Sequence, residues 1–347
     1  MWGKMHKIIF IVIKNYDSSL SKRQPWYSVK KLVYDLENVG CKITIVSKIS
    51  DIPTNFNGCV VKVFGLKDLL FSKKNSYKLV YFMTFPIYRI NKFFLLPKKT
   101  IIENWCDLKR IFMLSLLPKF ILRNALRKAE EVVVISDRSE NVLLDIVKTK
   151  KYIPFIFDNW GGVKKKVFKQ PERKVIGYFG PPFTTRSFDD VILFFSWLNE
   201  NNYNIDKRII TRIERVELKL MADKYLNKLK GDTNLKVISG FLDRQSLANE
   251  LLEIDVLILP FKIVMSELPV VVLEALELEI PIITTNDSGI ETITKKQKNV
   301  LMLDNFKEDK YHKALDFINN FKEDTFETVK INILKINTIT LEAICKK

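Results

Sequence analysis

Apolar and polar positions along the chain alternate between two periods, and the order of those periods predicts the architecture. The stretch His6–Ile13 is a continuous apolar run suited to a strand buried on both faces. After a polar loop, Val29, Leu32, Val33, Leu36 and Val39 recur at helical spacing, Gly40 supplies a stop, and Lys42–Ser47 opens a second strand. Further apolar runs at Val60–Phe64, Leu79–Met83, Thr100–Glu103 and Val132–Ile135 predict a doubly wound α/β sheet. The pattern restarts after Lys164–Lys174, a charge run with a proline that reads as a linker. Beyond it, strands are predicted at Val175–Phe179, Ile209–Arg212, Leu235–Ile238, Val256–Leu259 and Ile280–Thr285.

The densest local order runs from Ile254 to Ile293: strand, loop, helix, strand. Ser266 offers a side-chain oxygen, Pro269 stands near a first helical position, and Val270–Leu278 is apolar over most of its surface, as a buried helix is. The leading amides at Val270 and Val271 would then face out of the carboxyl edge of a parallel sheet, where an anion is favoured. Glu274 lies one turn further in. By itself, a glutamate in a buried helix is as well explained by a structural partner.

The residues that follow one another here carry a resemblance. The run SELPVVVLEALELEIPIITTNDSGIETI, followed by Lys298–Leu303, resembles the donor-binding segment of retaining GT-B glycosyltransferases, glycosyltransferase family 4 in particular. Pro269, Glu274, Ala275, Pro281, Thr285, Gly289, Glu291 and Asn299 fall where that pattern has its recurring residues. The resemblance implies two Rossmann-like doubly wound parallel-sheet domains facing a cleft. The expected division is an acceptor domain over 1–165, a donor domain over 166–325 and a helical tail over 326–347 that packs back on the first domain.

The resemblance also implies roles for residues. Gly180 opens a phosphate loop, GPPFTTR, in which the family has an arginine after the glycine and a lysine six residues on. Here Pro181 replaces the first cation and Arg186 stands for the second, able to grip phosphate through two parallel hydrogen bonds. Lys262 is a candidate substitute for the missing cation, with a solvated lysine as the alternative. Glu274 is expected to accept from the ribose hydroxyls, Ser266, Val270 and Val271 to face the phosphates, and Leu242 to face the base. Ser266 aligns with the first glutamate of a paired-glutamate motif, with Glu267 adjacent, so Arg186 and Glu267 are the catalytic candidates. Asp243 and Ser246 read equally well as helix caps. Glu279 stands where the family has a glycine after the helix, and Asn104, Trp105 and Cys106 occupy the region of its first-domain histidine.

Composition narrows the picture. The chain has 347 residues, enough for two domains, and 47% hydrophobic content excludes general disorder. No apolar run reaches the length of a membrane span, and the N-terminus reads as a first strand and not a signal peptide, so a cytoplasmic location is expected. Cys41, Cys59, Cys106 and Cys345 lack paired spacing, and His6 and His312 are far apart, so neither a zinc motif nor a disulfide framework is expected. The expected chemistry needs no cofactor and no metal, the nucleotide-sugar being the donor substrate.

Lysine and arginine number 57 against 40 acidic residues, a formal net charge of +17 that favours anionic partners or a lysine-rich solvated surface. Tyr88–Lys99 and Ile111–Lys128 mix basic with large apolar residues, which suits peripheral attachment to the inner face of a membrane as well as core-packing helices with basic outer faces. The function expected is sugar transfer, as by a hexosyltransferase, from a nucleoside-diphosphate sugar to a hydroxyl of a lipid-linked or cell-surface glycan precursor, with retention. Nucleic acid is not favoured as a partner. The alternative is a noncatalytic protein of the same fold, serving as a binding subunit or a polyanion-binding surface.

Overall fold

The computed structural model describes residues 8–12, 33–34, 36–38, 40–47, 55–56, 59–63, 77–83, 100–104, 107–110, 119–134, 136–151, 173–211, 213, 216–240, 242–264, 269–287, 289–294 and 297–321. These fall into two compact units, each built on its own sheet. The expected tail over 326–347 lies outside the described residues.

The first unit holds β1 (Ile8–Val12), β2 (Lys42–Ser47), β3 (Asn55–Phe56), β4 (Cys59–Val63), β5 (Tyr77–Met83), β6 (Thr100–Asn104), α1 (Lys119–Leu126), β7 (Ala129–Val134), α2 (Asp137–Leu143) and β8 (Thr149–Lys151). Its strand order is β3-β4-β2-β1-β5-β6-β7-β8, parallel except for the β3–β4 hairpin. Each predicted strand is present with ends shifted by no more than three residues, while β3 and β8 carry no long apolar run and were not expected. Residues 132–134 are fully buried, as their apolar run requires. Of the basic stretch Ile111–Lys128, the described part is α1 and the turn after it. Leu126 is buried, whereas Phe120 is 64% exposed beside exposed Arg123 and Arg127.

The second unit holds β9 (Val175–Phe179), a 3-10 turn at Thr184–Arg186, α3 (Phe188–Glu200), β10 (Asp206–Thr211), α4 (Val216–Leu226), β11 (Leu235–Ser239), α5 (Arg244–Leu252), β12 (Val256–Leu259), α6 (Val270–Glu277), β13 (Ile282–Thr285), α7 (Ile290–Thr294), β14 (Val300–Leu303) and α8 (Tyr311–Asn320). All six strands are parallel, in the order β11-β10-β9-β12-β13-β14. The order reverses between β9 and β12, and in open α/β sheets ligands sit outside the carboxyl ends of the strands at such a reversal.

The core of this unit gathers around α3, whose Phe188, Val191, Ile192, Phe194, Phe195 and Leu198 are buried. Phe194 meets Phe306 edge-on at 5.3 Å and Tyr311 at 4.9 Å, and α8 lays Ala314, Leu315 and Ile318 into the same cluster. α6 ends in a reciprocal pair of bonds, Ile280 N–H to Ala275 O at 2.9 Å and Glu279 N–H to Leu276 O at 3.1 Å. Glu279 takes φ +58, the left-handed conformation such a helix end requires and the one a glycine adopts without strain.

Candidate active site

β9 leads into the loop that opens at Gly180. Gly180 has φ +155, and a Cβ there would stand 3.1 Å from the Tyr178 hydroxyl oxygen. The bare glycine lets that hydroxyl reach forward and donate to Pro181 O at 2.7 Å. Tyr178 is buried, its ring packed on Phe188 at 5.2 Å, and burial pushes its hydroxyl well above the usual phenol range. It is therefore a fixed donor that pins the loop.

From Pro181 the chain turns through Thr184–Arg186, where Arg186 N–H donates to Phe183 O at 2.9 Å and Ser187 N–H to Thr184 O at 2.9 Å. Ser187 is buried with φ +52, a strained conformation immediately after Arg186. The Arg186 guanidinium lies over the Phe261 ring, 5.1 Å from the centroid. Burial lowers its pKa, and no carboxylate among the described residues pairs with it. A partly buried cation with no described counter-ion is a place where an anion is favoured.

Phe261 follows β12, so these two side chains meet at the carboxyl ends of the strands where the sheet order reverses. The loop carrying Phe261 is fastened from three sides. Thr285 Oγ1 both accepts from Phe261 N–H and donates to Phe261 O, each at 2.7 Å. Thr185 O accepts from the N–H groups of Lys262 at 3.1 Å and Ile263 at 3.0 Å. An Asp287 carboxylate oxygen accepts from Val264 N–H.

Lys262 sits in this loop with its ammonium 2.7 Å from an Asp189 carboxylate oxygen and 2.8 Å from one of Asp190, both on α3. Burial works against the charge, but the hydrogen bonds and attraction of the two carboxylates outweigh it and raise the pKa. Unlike Arg186, it carries its counter-charge with it.

Of the remaining sequence candidates, Val270 and Val271 open α6, whose N-cap Pro269 contributes no side-chain bond and whose first turn contains no acidic residue. Their amides have no acceptor among the described residues, and Glu274 lies one turn in, partly exposed. Leu242 is partly exposed at the entry to α5, beyond the carboxyl end of edge strand β11. Asp243 caps that helix, accepting from Ser246 N–H at 2.9 Å. Ser266 and Glu267 lie outside the described residues. Sequence reasoning overlooked Tyr178 and Asp190. The paired acids at the start of α3 were a visible signal, though their lysine partners stand far along the chain.

Residues 163–325 match the family model of glycosyl transferases group 1. Residues 163–325 mark a glycosyltransferase domain, and the chain has the GT-B fold. Its fold is similar to the apo structure of OtsA, with a TM-score of 0.74 at 10% identity over 98% of this chain and 99% of that one. A UDP-forming α,α-trehalose-phosphate synthase from Burkholderia xenovorans gives 0.72 at 9% identity over 98% and 99%. The E. coli trehalose-6-phosphate enzyme bound with UDP-2-fluoro glucose gives 0.68 at 9% over 96% and 95%. No curated protein matches by sequence. The enzyme reading thus stands ahead of the noncatalytic alternative. The segment with the Gly180 loop, Arg186, Lys262 and α6 lies inside the matched residues.

Proposed function

We propose that the enzyme moves a sugar, a hexose in the first instance, from a nucleoside-diphosphate sugar to a hydroxyl of a lipid-linked or cell-surface glycan precursor, with retention at the anomeric carbon. The observation that carries this reading is the Arg186 guanidinium, held over Phe261 at the sheet reversal with no carboxylate partner among the described residues. The bond between the anomeric carbon and the phosphate oxygen breaks, and charge grows on the departing diphosphate. Arg186 and the amides of Val270 and Val271 take up that charge, and stabilisation aimed at developing charge is the largest catalytic contribution in many enzymes. The acceptor hydroxyl bonds to the anomeric carbon from the same face and passes its proton to the leaving diphosphate, so no protein base or metal is required. Glu274 accepts from the ribose hydroxyls, Gly180 lets the loop backbone approach the phosphates, Leu242 flanks the base, and Ser266 and Glu267 flank the sugar and phosphate.

UDP-sugars are the first donors to try, because one similar structure holds UDP-2-fluoro glucose. Sugar phosphates belong among the acceptors, because another holds glucose-6-phosphate. A panel of nucleotide-sugars read out as nucleoside diphosphate release tests the assignment, with the anomeric configuration of the product determined by NMR. Release that survives Arg186→Ala in a folded protein would overturn the role of Arg186, and an inverted product would overturn retention.

For location, the reading is a cytoplasmic enzyme attached peripherally to an anionic membrane through Tyr88–Lys99 and Ile111–Lys128. Exposed Phe120 beside exposed Arg123, Arg127 and Lys128 supports it, each cation near an anionic surface contributing about 1 kcal/mol. Among the described residues no helix is long and apolar enough to cross a membrane. Liposome flotation with anionic vesicles is expected to recover the protein, and recovery unchanged by Lys119→Glu, Arg123→Glu and Arg127→Glu would refute the attachment.

A further inference from the structure

Asp190 is 3% exposed, yet it receives two ammonium groups: Lys262 at 2.8 Å and Lys307 at 2.9 Å. A buried carboxylate is retained in a fold when its charge is fully met, and removing its partners is strongly destabilising. Three segments converge on it. Asp190 belongs to the first turn of α3, immediately after the turn that carries Arg186. Lys262 belongs to the loop after β12 and Lys307 to the segment after β14.

Lys262 is held at both ends. Its backbone N–H donates to Thr185 O at 3.1 Å, and its Nζ reaches Asp189 and Asp190. The residue before it, Phe261, is the ring beneath Arg186, and the residue before Arg186 is Thr185. The guanidinium and its aromatic platform are therefore joined by a closed circuit running from Arg186 to Ser187, α3, Asp190, Lys262, Phe261 and back. A guanidinium that stabilises charge must be held in place before the charge appears, and displacement by about 1 Å forfeits much of the effect.

We propose that Asp190 is a positioning residue for sugar transfer, acting through Lys262 to hold Phe261 and the loop after β12 against the Arg186 turn. Lys262 is the strut of this device and not a second diphosphate ligand. The proposal rests on the assignment of Arg186 to the donor diphosphate.

The experiment is a double-mutant cycle on the full-length chain, read by calorimetric titration of UDP, GDP, ADP and inorganic pyrophosphate alongside melting curves. Asp190→Asn and Lys262→Met are each expected to weaken the tightest of these probes about tenfold. In the Arg186→Ala background the same substitutions are expected to change affinity less than about threefold, because the group they position is gone. A purely structural ion pair would lower the melting temperature without this dependence on Arg186.

Tighter probe binding by Asp190→Asn would mean that a lysine it had held, Lys262 or Lys307, binds phosphate itself, and would overturn the proposal while leaving the transferase reading intact. Equal losses with and without Arg186 would overturn it too. If Arg186→Ala alone binds every probe like the parent, it is the donor assignment that fails, and a parent that binds none of them overturns both. Should Asp190→Asn not fold, the cycle of Lys262→Met with Arg186→Ala decides by the same criteria.

Discussion

Arg186 and Phe261 are 75 residues apart in sequence, yet the guanidinium lies 5.1 Å from the centre of the ring. The contact follows from topology, since β9 and β12 are neighbours in the sheet and both residues lie just past the carboxyl ends of their strands. The ring offers an apolar face to a partly buried cation. Phe261→Leu keeps the site apolar but removes the π face, a contact worth about 0.5–2 kcal/mol. UDP affinity is expected to fall between about twofold and thirtyfold in calorimetry. Arg186→Lys keeps the charge and loses the planar fork, so turnover is expected to fall further than UDP affinity. Parental kinetics in both variants would show that the pair has no part in the chemistry.

Gly180 and Tyr178 make a second testable pair. A methyl group at Gly180 would stand 3.1 Å from the Tyr178 hydroxyl oxygen, on a backbone with φ +155. Tyr178→Phe loses the bond to Pro181 O, about 0.5–1.5 kcal/mol of stability. Gly180→Ala forces the hydroxyl aside and adds backbone strain, on the order of 1–3 kcal/mol. The double variant should be less destabilised than the sum, because the atom that the new methyl meets first has been deleted. Additive losses in urea titration would mean that the backbone conformation, and not the hydroxyl, selects glycine.

What could be read in the sequence was local. Val256–Leu259 and Ile282–Thr285 are short apolar runs, and both are strands buried at every position. The α6 start followed from Pro269 and the apolar run after it, and the Arg186 loop from a resemblance to a family pattern. By contrast, β3 has two residues and β8 three, too few for a period to emerge. α4 also escaped notice, because Val216 and Leu220 are exposed and only Ala222 is buried, so its apolar positions do not mark a core face. The role of Asp190 was illegible for a different reason. It depends on Lys307, 117 residues away, and such a pairing exists only after the sheet has set the loops side by side.

The helix end at Glu279 predicts a stabilising substitution. A residue with a Cβ in the left-handed region costs roughly 1–2 kcal/mol relative to its preferred conformations. Glycine removes that strain and gives back part of it as greater freedom of the unfolded chain. Glu279→Gly is expected to raise the unfolding free energy by about 0.5–1 kcal/mol. A higher urea midpoint with unchanged slope would register this, and a lower midpoint would mean that the Glu279 side chain contributes more than its backbone conformation costs.

The last prediction concerns a buried ion pair far from any chemistry. Lys207 and Asp232 face each other at 3.0 Å with side chains 0% and 4% exposed. Asp232 also accepts from Asn199 Nδ2 and from Asn234 N–H, each at 2.9 Å. Burial raises its pKa, and the bonds from Asn199, Lys207 and Asn234 together outweigh that and lower it below the ordinary value of 3.8. A carboxyl with a depressed folded pKa adds stability that is present above its unfolded pKa and is lost as pH falls through the folded one. This contribution should therefore persist down to about pH 4 and fade below it. Asp232→Asn leaves a buried ammonium without its counter-charge and should destabilise by about 3–5 kcal/mol, while flattening the acid limb of the stability profile. Lys207→Met leaves a carboxylate that still has two hydrogen-bond donors, so its loss should be smaller. Urea unfolding between pH 3 and pH 7 makes the comparison. An Asp232→Asn profile parallel to the parent's would show that other groups govern the acid slope.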